Sequence, residues 1–279
     1  MMKLYQLIFS IILLISNRSF SQDFEIIDTT RFQCTYNYVF LQDSNSRSSV
    51  RNQEMTLLIG ARISKFSSSN ELYADSLLYG NKDLEAGAGF AKIWPLLNGA
   101  PTNGLCKYKV YKNYPKKNTI TFTSNLGKSF FQTQQDTEQA WTIDNKKDST
   151  IIGYSCKQAK MRFAGRNYIA WFTLDVPVND GPYKFGGLPG LIVKIYDTKN
   201  QHNFALARIK RINYPQPIFF KRNNFTIISP AEYVKAIQAN NANLINTMQD
   251  GTKVTFSDEN SKIKAVQNLK ARNNFIERY

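Results

Sequence analysis

The chain has 279 residues, of which 42% are hydrophobic and 13% aromatic, enough apolar side chain to bury a sizeable core in one large domain or two small ones. Three cysteines, at positions 34, 106 and 156, and a single histidine, His202, exclude a zinc motif by count and spacing. The net charge of +15 favours acidic surfaces such as anionic lipid headgroups or polyanionic glycans, or forms a solvated basic face.

The N-terminus reads as an export signal. Lys3 precedes an apolar run over residues 4–15, and Ser19-Phe20-Ser21 puts small residues where a signal peptidase cuts, with Gln22 the first mature residue. A run of that length is too short to span a bilayer, which takes about twenty residues. The expectation is a signal peptide over 1–21, one α+β domain over 22–279, and localisation in the periplasm or outside the cell. In that compartment nucleic acid is not an expected partner. An odd cysteine count permits at most one internal disulfide, and Cys106–Cys156 is favoured because both lie in the β-rich middle.

Alternation and aromatic content predict a strand over 31–40 and a hairpin formed by 55–59 and 61–66 around Gly60, with polar breaks at 41–52 and 67–70. Residues 71–79 suit a short helix, and Gly87 and Gly89 open a loose stretch toward Pro95 and Pro101. Short strand signals follow at 108–111, 119–123, 129–132, 141–143 and 150–152. In 157–163, Ala159, Met161 and Phe163 alternate with Gln158, Lys160 and Arg162, the pattern of a half-buried antiparallel strand. Segments 168–174, 191–196 and 204–212 continue the sheet. Ser229-Pro230-Ala231-Glu232 then combines a capping serine, a first-turn proline and a capping-box glutamate, so a helix starts there. A second helix, with a basic face, is predicted over 261–279. The fold class is α+β: a large, mostly antiparallel sheet with C-terminal helices, which can curl into a half-open barrel around a cavity.

The densest local signal is the hexapeptide Gly187-Leu188-Pro189-Gly190-Leu191-Ile192. Pro189 presets φ near −65° and Gly190 tolerates φ > 0, so a type II turn with positive φ at Gly190 is expected, leading into a central strand. The hexapeptide resembles the signature of the GLPGLI family, exported proteins typical of Bacteroidota. Upstream, the GYSCKQA run at 153–159, FAGR at 163–166, AWFT at 170–173, Val176-Pro177 and Gly181-Pro182 resemble that family's other elements in order. The resemblance implies an exported protein and carries no established activity.

Candidate chemistry is sparse. A Cys156–His202 pair is the only nucleophile–base combination that suggests itself, and His202 sits in a polar turn segment. No acidic cluster has metal-loop spacing, and the glycines of 181–190 do not end as a phosphate loop does. No catalytic, metal or cofactor site is therefore assigned. Aromatic and basic residues concentrate at Arg166, Tyr183, Lys184 and Phe185, the last three in a Gly/Pro-rich loop of the kind that carries function. These four are the candidate ligand or partner site, with the three loop side chains expected at the surface. The leading reading is a non-enzymatic periplasmic binding or accessory protein for an apolar or peptide-like ligand or an outer-membrane partner, with membrane-surface contact through its basic charge. The competing readings are a hydrolase or redox enzyme using Cys156 or His202, and a structural component of the envelope.

Overall fold

The computed structural model describes residues 24–80, 95, 105–250 and 256–279. The signal segment 1–21 and most of the loose stretch around Gly87 and Gly89 lie outside these residues. The described strands, in chain order, are β1 (Phe24–Thr29), β2 (Phe32–Leu41), β3 (Val50–Ile59) and β4 (Ser64–Ser68), then after helix α1 (Ser69–Gly80) β5 (Lys109–Lys112), β6 (Thr119–Leu126) and β7 (Ser129–Asp136). There follow β8 (Thr142–Ile151), β9 (Tyr154–Phe163), β10 (Arg166–Thr173), β11 (Leu191–Asp197), β12 (His202–Arg211), β13 (Pro217–Lys221) and β14 (Phe225–Ile227). Helices α2 (Pro230–Asp250) and α3 (Glu259–Lys270) close the chain, so the fold is α+β.

Twelve of the described strands form one sheet in the order β14-β7-β6-β5-β4-β3-β2-β12-β11-β10-β9-β8, while β1 and β13 pair separately. The β14–β7 pair is parallel and the other pairs are antiparallel. The sheet does not close into a barrel. Its main core nevertheless joins Phe122 of β6 and Val110 of β5 to Ala159 and Met161 of β9, with Tyr183, Phe185 and Leu188 of the β10–β11 connection among them. The connection thus fills the space inside the curled sheet.

Period-two patterning accounts for the two-sided core. In β3, Met55, Leu57 and Ile59 enter the main core, whereas Leu58 turns to a second cluster with Tyr111, Ile218 and Phe220 under the small β1–β13 sheet. The hairpin around Gly60 forms as expected, with Gly60 N bonded to the Ile63 carbonyl at 2.9 Å. β11 is internal, between β10 and β12, and its Leu191, Ile192, Val193 and Ile195 are fully buried. A strand apolar on both faces has to lie inside a sheet, which is why this placement was readable.

Some boundaries differ from expectation. Segments 141–143 and 150–152 belong to one strand, β8, whose polar middle is exposed because it forms an edge and bulges between Asp144 and Asp148. The 41–52 loop gives up its last residues to β3, and the serines at 67–70 finish β4 and begin α1 instead of breaking the chain. α1 is held to the sheet by a charge: Asp75 is buried between Lys65 Nζ at 2.8 Å and Lys109 Nζ at 2.7 Å. Burial pushes its carboxyl up, but the two ammonium groups outweigh this and bring its pKa down to about 2.

The capping box at the start of α2 is reciprocal: Ser229 N donates to Glu232 Oε2 at 2.7 Å and Glu232 N to Ser229 Oγ at 3.2 Å. The predicted helix 261–279 is shorter. α3 is capped by Asp258, which accepts from Ser261 N, and ends at Lys270. The last residues leave it as an extended tail that crosses the end of the sheet. Among the described residues no helix is long and apolar enough to cross a membrane.

Candidate functional site

The connection between β10 and β11 is pinned from below by one buried lysine. Lys112 Nζ, at the end of β5, donates to Asp180 Oδ1 and to the carbonyls of Gly181 and Phe185, both at 2.6 Å. Phe185 N closes a turn on the Pro182 carbonyl at 3.1 Å. Tyr183 takes φ +53° within that turn, a left-handed conformation that costs a bulky residue about 1–2 kcal/mol. On the outer side, Gln139 Nε2 and Trp141 Nε1 donate to the carbonyls of Lys184 and Gly186 at 2.7 and 2.8 Å.

These anchors turn the loop inward. Tyr183, Lys184 and Phe185 are buried, at 2%, 2% and 0% exposure, so the expected surface presentation is corrected. Lys112 accounts for it: an ammonium placed inside the curled sheet draws the loop carbonyls over itself, and the aromatic rings follow into the core. The turn expected at Pro189-Gly190 is corrected too. Positive φ falls at Gly187, +82°, and not at Gly190. Gly190 is required for another reason, because a Cβ there would stand 1.9 Å from the Thr173 carbonyl oxygen of β10.

Three of the four candidate residues, Arg166, Tyr183 and Lys184, bond to the chain's own C-terminal tail. Arg166 donates through Nη1 to Asp197 Oδ2 (3.1 Å) and Gln201 Oε1 (2.8 Å), and through Nη2 to Asn274 Oδ1 and the Phe275 carbonyl, both at 2.6 Å. Glu277 Oε1 receives Lys184 Nζ at 2.6 Å and the Tyr183 hydroxyl at 2.8 Å, and Tyr279 donates to its other oxygen. Lys184 Nζ also reaches Gln135 Oε1 at 2.9 Å. Burial pushes the Lys184 ammonium down, and the Glu277 carboxylate opposes that shift. Phe185 packs on Phe163 and Tyr168 and touches no polar partner through its side chain. Sequence reading missed the tail as the partner; Asn273-Asn274 after the helical pattern was the one signal for a helix stop there.

Beside this clamp lies a cavity of about 230 Å³. Tyr38, Phe40 and His202 wall one side with near-parallel rings, Tyr108 and Phe122 another, and α2 covers it with Tyr233 and Ile237. Tail residues 274–277 complete the wall. His202 is thus a lining residue and not a solvated turn histidine. Its Nδ1 lies 2.7 Å from the Tyr38 hydroxyl, its backbone N–H donates to Asp197 Oδ1, and its Nε2 has no hydrogen-bond partner.

Burial, reinforced by Arg166 and Arg278, holds the His202 pKa well below the usual value, so the folded protein keeps the ring neutral. An unfolded chain takes up that proton below about pH 6.5, so stability present at neutral pH is lost as the pH falls. Because this is the only histidine, a loss on the order of 1 kcal/mol between pH 7.5 and 5.5 is expected in urea titrations, and His202→Gln should flatten it. Equal stability of the native chain at the two pH values would contradict a buried neutral ring.

The cysteines are all free and buried. The favoured Cys106–Cys156 disulfide is absent: six strands separate β5, which follows Cys106, from β9, which carries Cys156. The Cys156 thiol points at the Tyr154 carbonyl (3.4 Å), burial pushes it up, and it does not line the cavity with His202. Cys106 does share the cavity, but burial pushes its thiol up to about 12, which leaves no thiolate for nucleophilic chemistry. Among the described residues no cluster of His, Cys, Asp and Glu could hold a metal ion.

No curated protein matches the sequence. Two solved structures of PNGF-II, in space groups P21 and C2, are similar at a TM-score of 0.48 and 15% identity over 76% of this chain. The chain spans about a third of those proteins, 34% and 33% of their lengths. Residues 99–194, which hold the hexapeptide and the motif run before it, match the model of a family described as a protein of unknown function, Porph_ging, consistent with the GLPGLI resemblance.

Proposed function

We propose that this is an exported, periplasmic binding protein of the cell envelope that carries out no chemistry and holds a small, largely apolar ligand beside the clamped tail. The observation that supports the reading is the aromatic-walled cavity of about 230 Å³ under α2. An empty apolar cavity of roughly 150 Å³ accepts benzene, so this one suits a ligand of roughly ten non-hydrogen atoms. A peptide-like partner does not fit that volume, and the groups that could receive one hold residues 274–277. The basic surface supports contact with anionic headgroups near the site of delivery. Native mass spectrometry of protein purified from the periplasmic fraction of its own cells is expected to show a chain starting at or near Gln22 with a small bound mass. Organic extraction should remove that mass, and Ile237→Trp, which fills the cavity, should prevent its binding. A cytoplasmic chain with an intact N-terminus overturns export; a periplasmic chain without adduct overturns the binding reading.

A further inference from the structure

We infer that the ligand of this cavity is an uncharged ring compound carrying a hydroxyl or carbonyl group, received by His202 Nε2, Tyr108 Oη and Thr133 Oγ1. The inference rests on the binding reading above and names its chemical class. All three atoms are buried, belong to cavity-lining residues and find no nitrogen or oxygen partner among the described residues. His202 is 2% exposed and Thr133 1%, and native interiors leave few such groups unsatisfied. Tyr38 occupies His202 Nδ1, which leaves Nε2 for another group. The tail groups beside it, the Phe275 carbonyl and the Asn274 side chain, bear on the ring and oppose its pKa depression, but among the described residues neither meets Nε2 in hydrogen-bond geometry. The polar neighbour of the Tyr108 hydroxyl is the Cys106 thiol, a weak partner.

The charges explain why the ligand is neutral. Among the described residues, Lys184 and Glu277 are the only charged ones lining the cavity, and they neutralise each other at 2.6 Å. Their remaining capacity goes to Gln135, Tyr183 and Tyr279. A charged ligand would be desolvated with no free counter-charge, whereas a neutral hydroxyl meets groups that can each donate or accept. The lining favours a ring: Tyr38, Phe40 and His202 form a stack of near-parallel rings on one side, with Tyr108 and Phe122 on another, which an aromatic ligand can meet by face or edge.

The test is calorimetry on the mature chain, freed of bound small molecules, with p-cresol, toluene and 4-hydroxybenzoate as probes at neutral pH. p-Cresol is expected to bind about fivefold or more tighter than toluene, the worth of one buried hydrogen bond, and 4-hydroxybenzoate more weakly than either. Thr133→Val removes a hydroxyl without a partner among the described residues, and Tyr108→Phe one whose polar neighbour is only a thiol. Each should therefore keep or raise the melting temperature, weaken p-cresol about fivefold and leave toluene unchanged. If one variant fails to fold, the other reads alone. Equal binding of p-cresol and toluene, or variants that leave p-cresol affinity intact, overturns the hydrogen-bonding role. Tighter binding of 4-hydroxybenzoate overturns neutrality. If no probe binds yet the native adduct persists, the class is wrong and the binding reading survives. If both are missing, both fail, and the three atoms face only water.

Discussion

Arg166→Met is expected to destabilise the protein by about 3–5 kcal/mol and to loosen the C-terminal tail at 274–275. The guanidinium and the Asp197 carboxylate are both almost fully buried, with side-chain exposures of 3% and 2%. Removing one partner of such a pair strands the other charge in a low-dielectric site, and the loss exceeds what the intact pair itself contributes. Asp197 would keep only the backbone N–H groups of Gln201 and His202 on its Oδ1. At the same time the Phe275 carbonyl would lose its donor and Asn274 Oδ1 would keep only Arg278 Nη2, so the tail would be loosened at 274–275 while Tyr168, Tyr183 and Lys184 still hold 276–277. Arg166→Lys should rescue little, because a point ammonium cannot reach four acceptors set out for a planar fork. Urea denaturation measures the loss, and hydrogen exchange at 274–275 reports the loosening. A stability change below about 1 kcal/mol would contradict this account and return Arg166 to the role of a free surface cation.

Gly190→Ala is the second large effect, at about 3 kcal/mol or more. The added methyl would lie 1.9 Å from the Thr173 oxygen and 2.7 Å from its carbonyl carbon. Neither atom can swing aside as a side chain could, because Thr173 is registered in the sheet against Cys156 on one side and Leu191 on the other. Gly187→Ala offers the contrast. Nothing lies within 4 Å of a Cβ at that position, so the cost is only that of a positive φ, about 1 kcal/mol. The two variants compared by urea denaturation separate close packing from backbone handedness. If Gly190→Ala costs no more than Gly187→Ala, the close approach to β10 is not what holds the hexapeptide in place.

Local pattern by itself determined a good part of this molecule. The alternation in 157–163, the two-sided apolar run at 191–196, the hairpin at Gly60 and the capping box at Ser229 are each set by neighbours a few residues apart, and each stands in the structure as read. The α+β class follows from the same periodicities. What a linear reading could not supply is which distant segments share an interior. Tyr183-Lys184-Phe185 reads as an exposed recognition loop because its composition is that of one. It is buried because Lys112, some seventy residues earlier in the chain, draws its carbonyls inward, and because Glu277, more than ninety residues later, gives Lys184 and Tyr183 a partner. The charges noticed at Arg166 and Lys184 are spent inside the molecule: a buried charge is stable only against a counter-charge, and the chain supplies Asp197 to the first and Glu277 to the second. The cavity was decided the same way. Its walls come from β2, β6, β7, β12, α2 and the tail, and only the curl of the sheet brings residues so far apart in the chain to line one cavity.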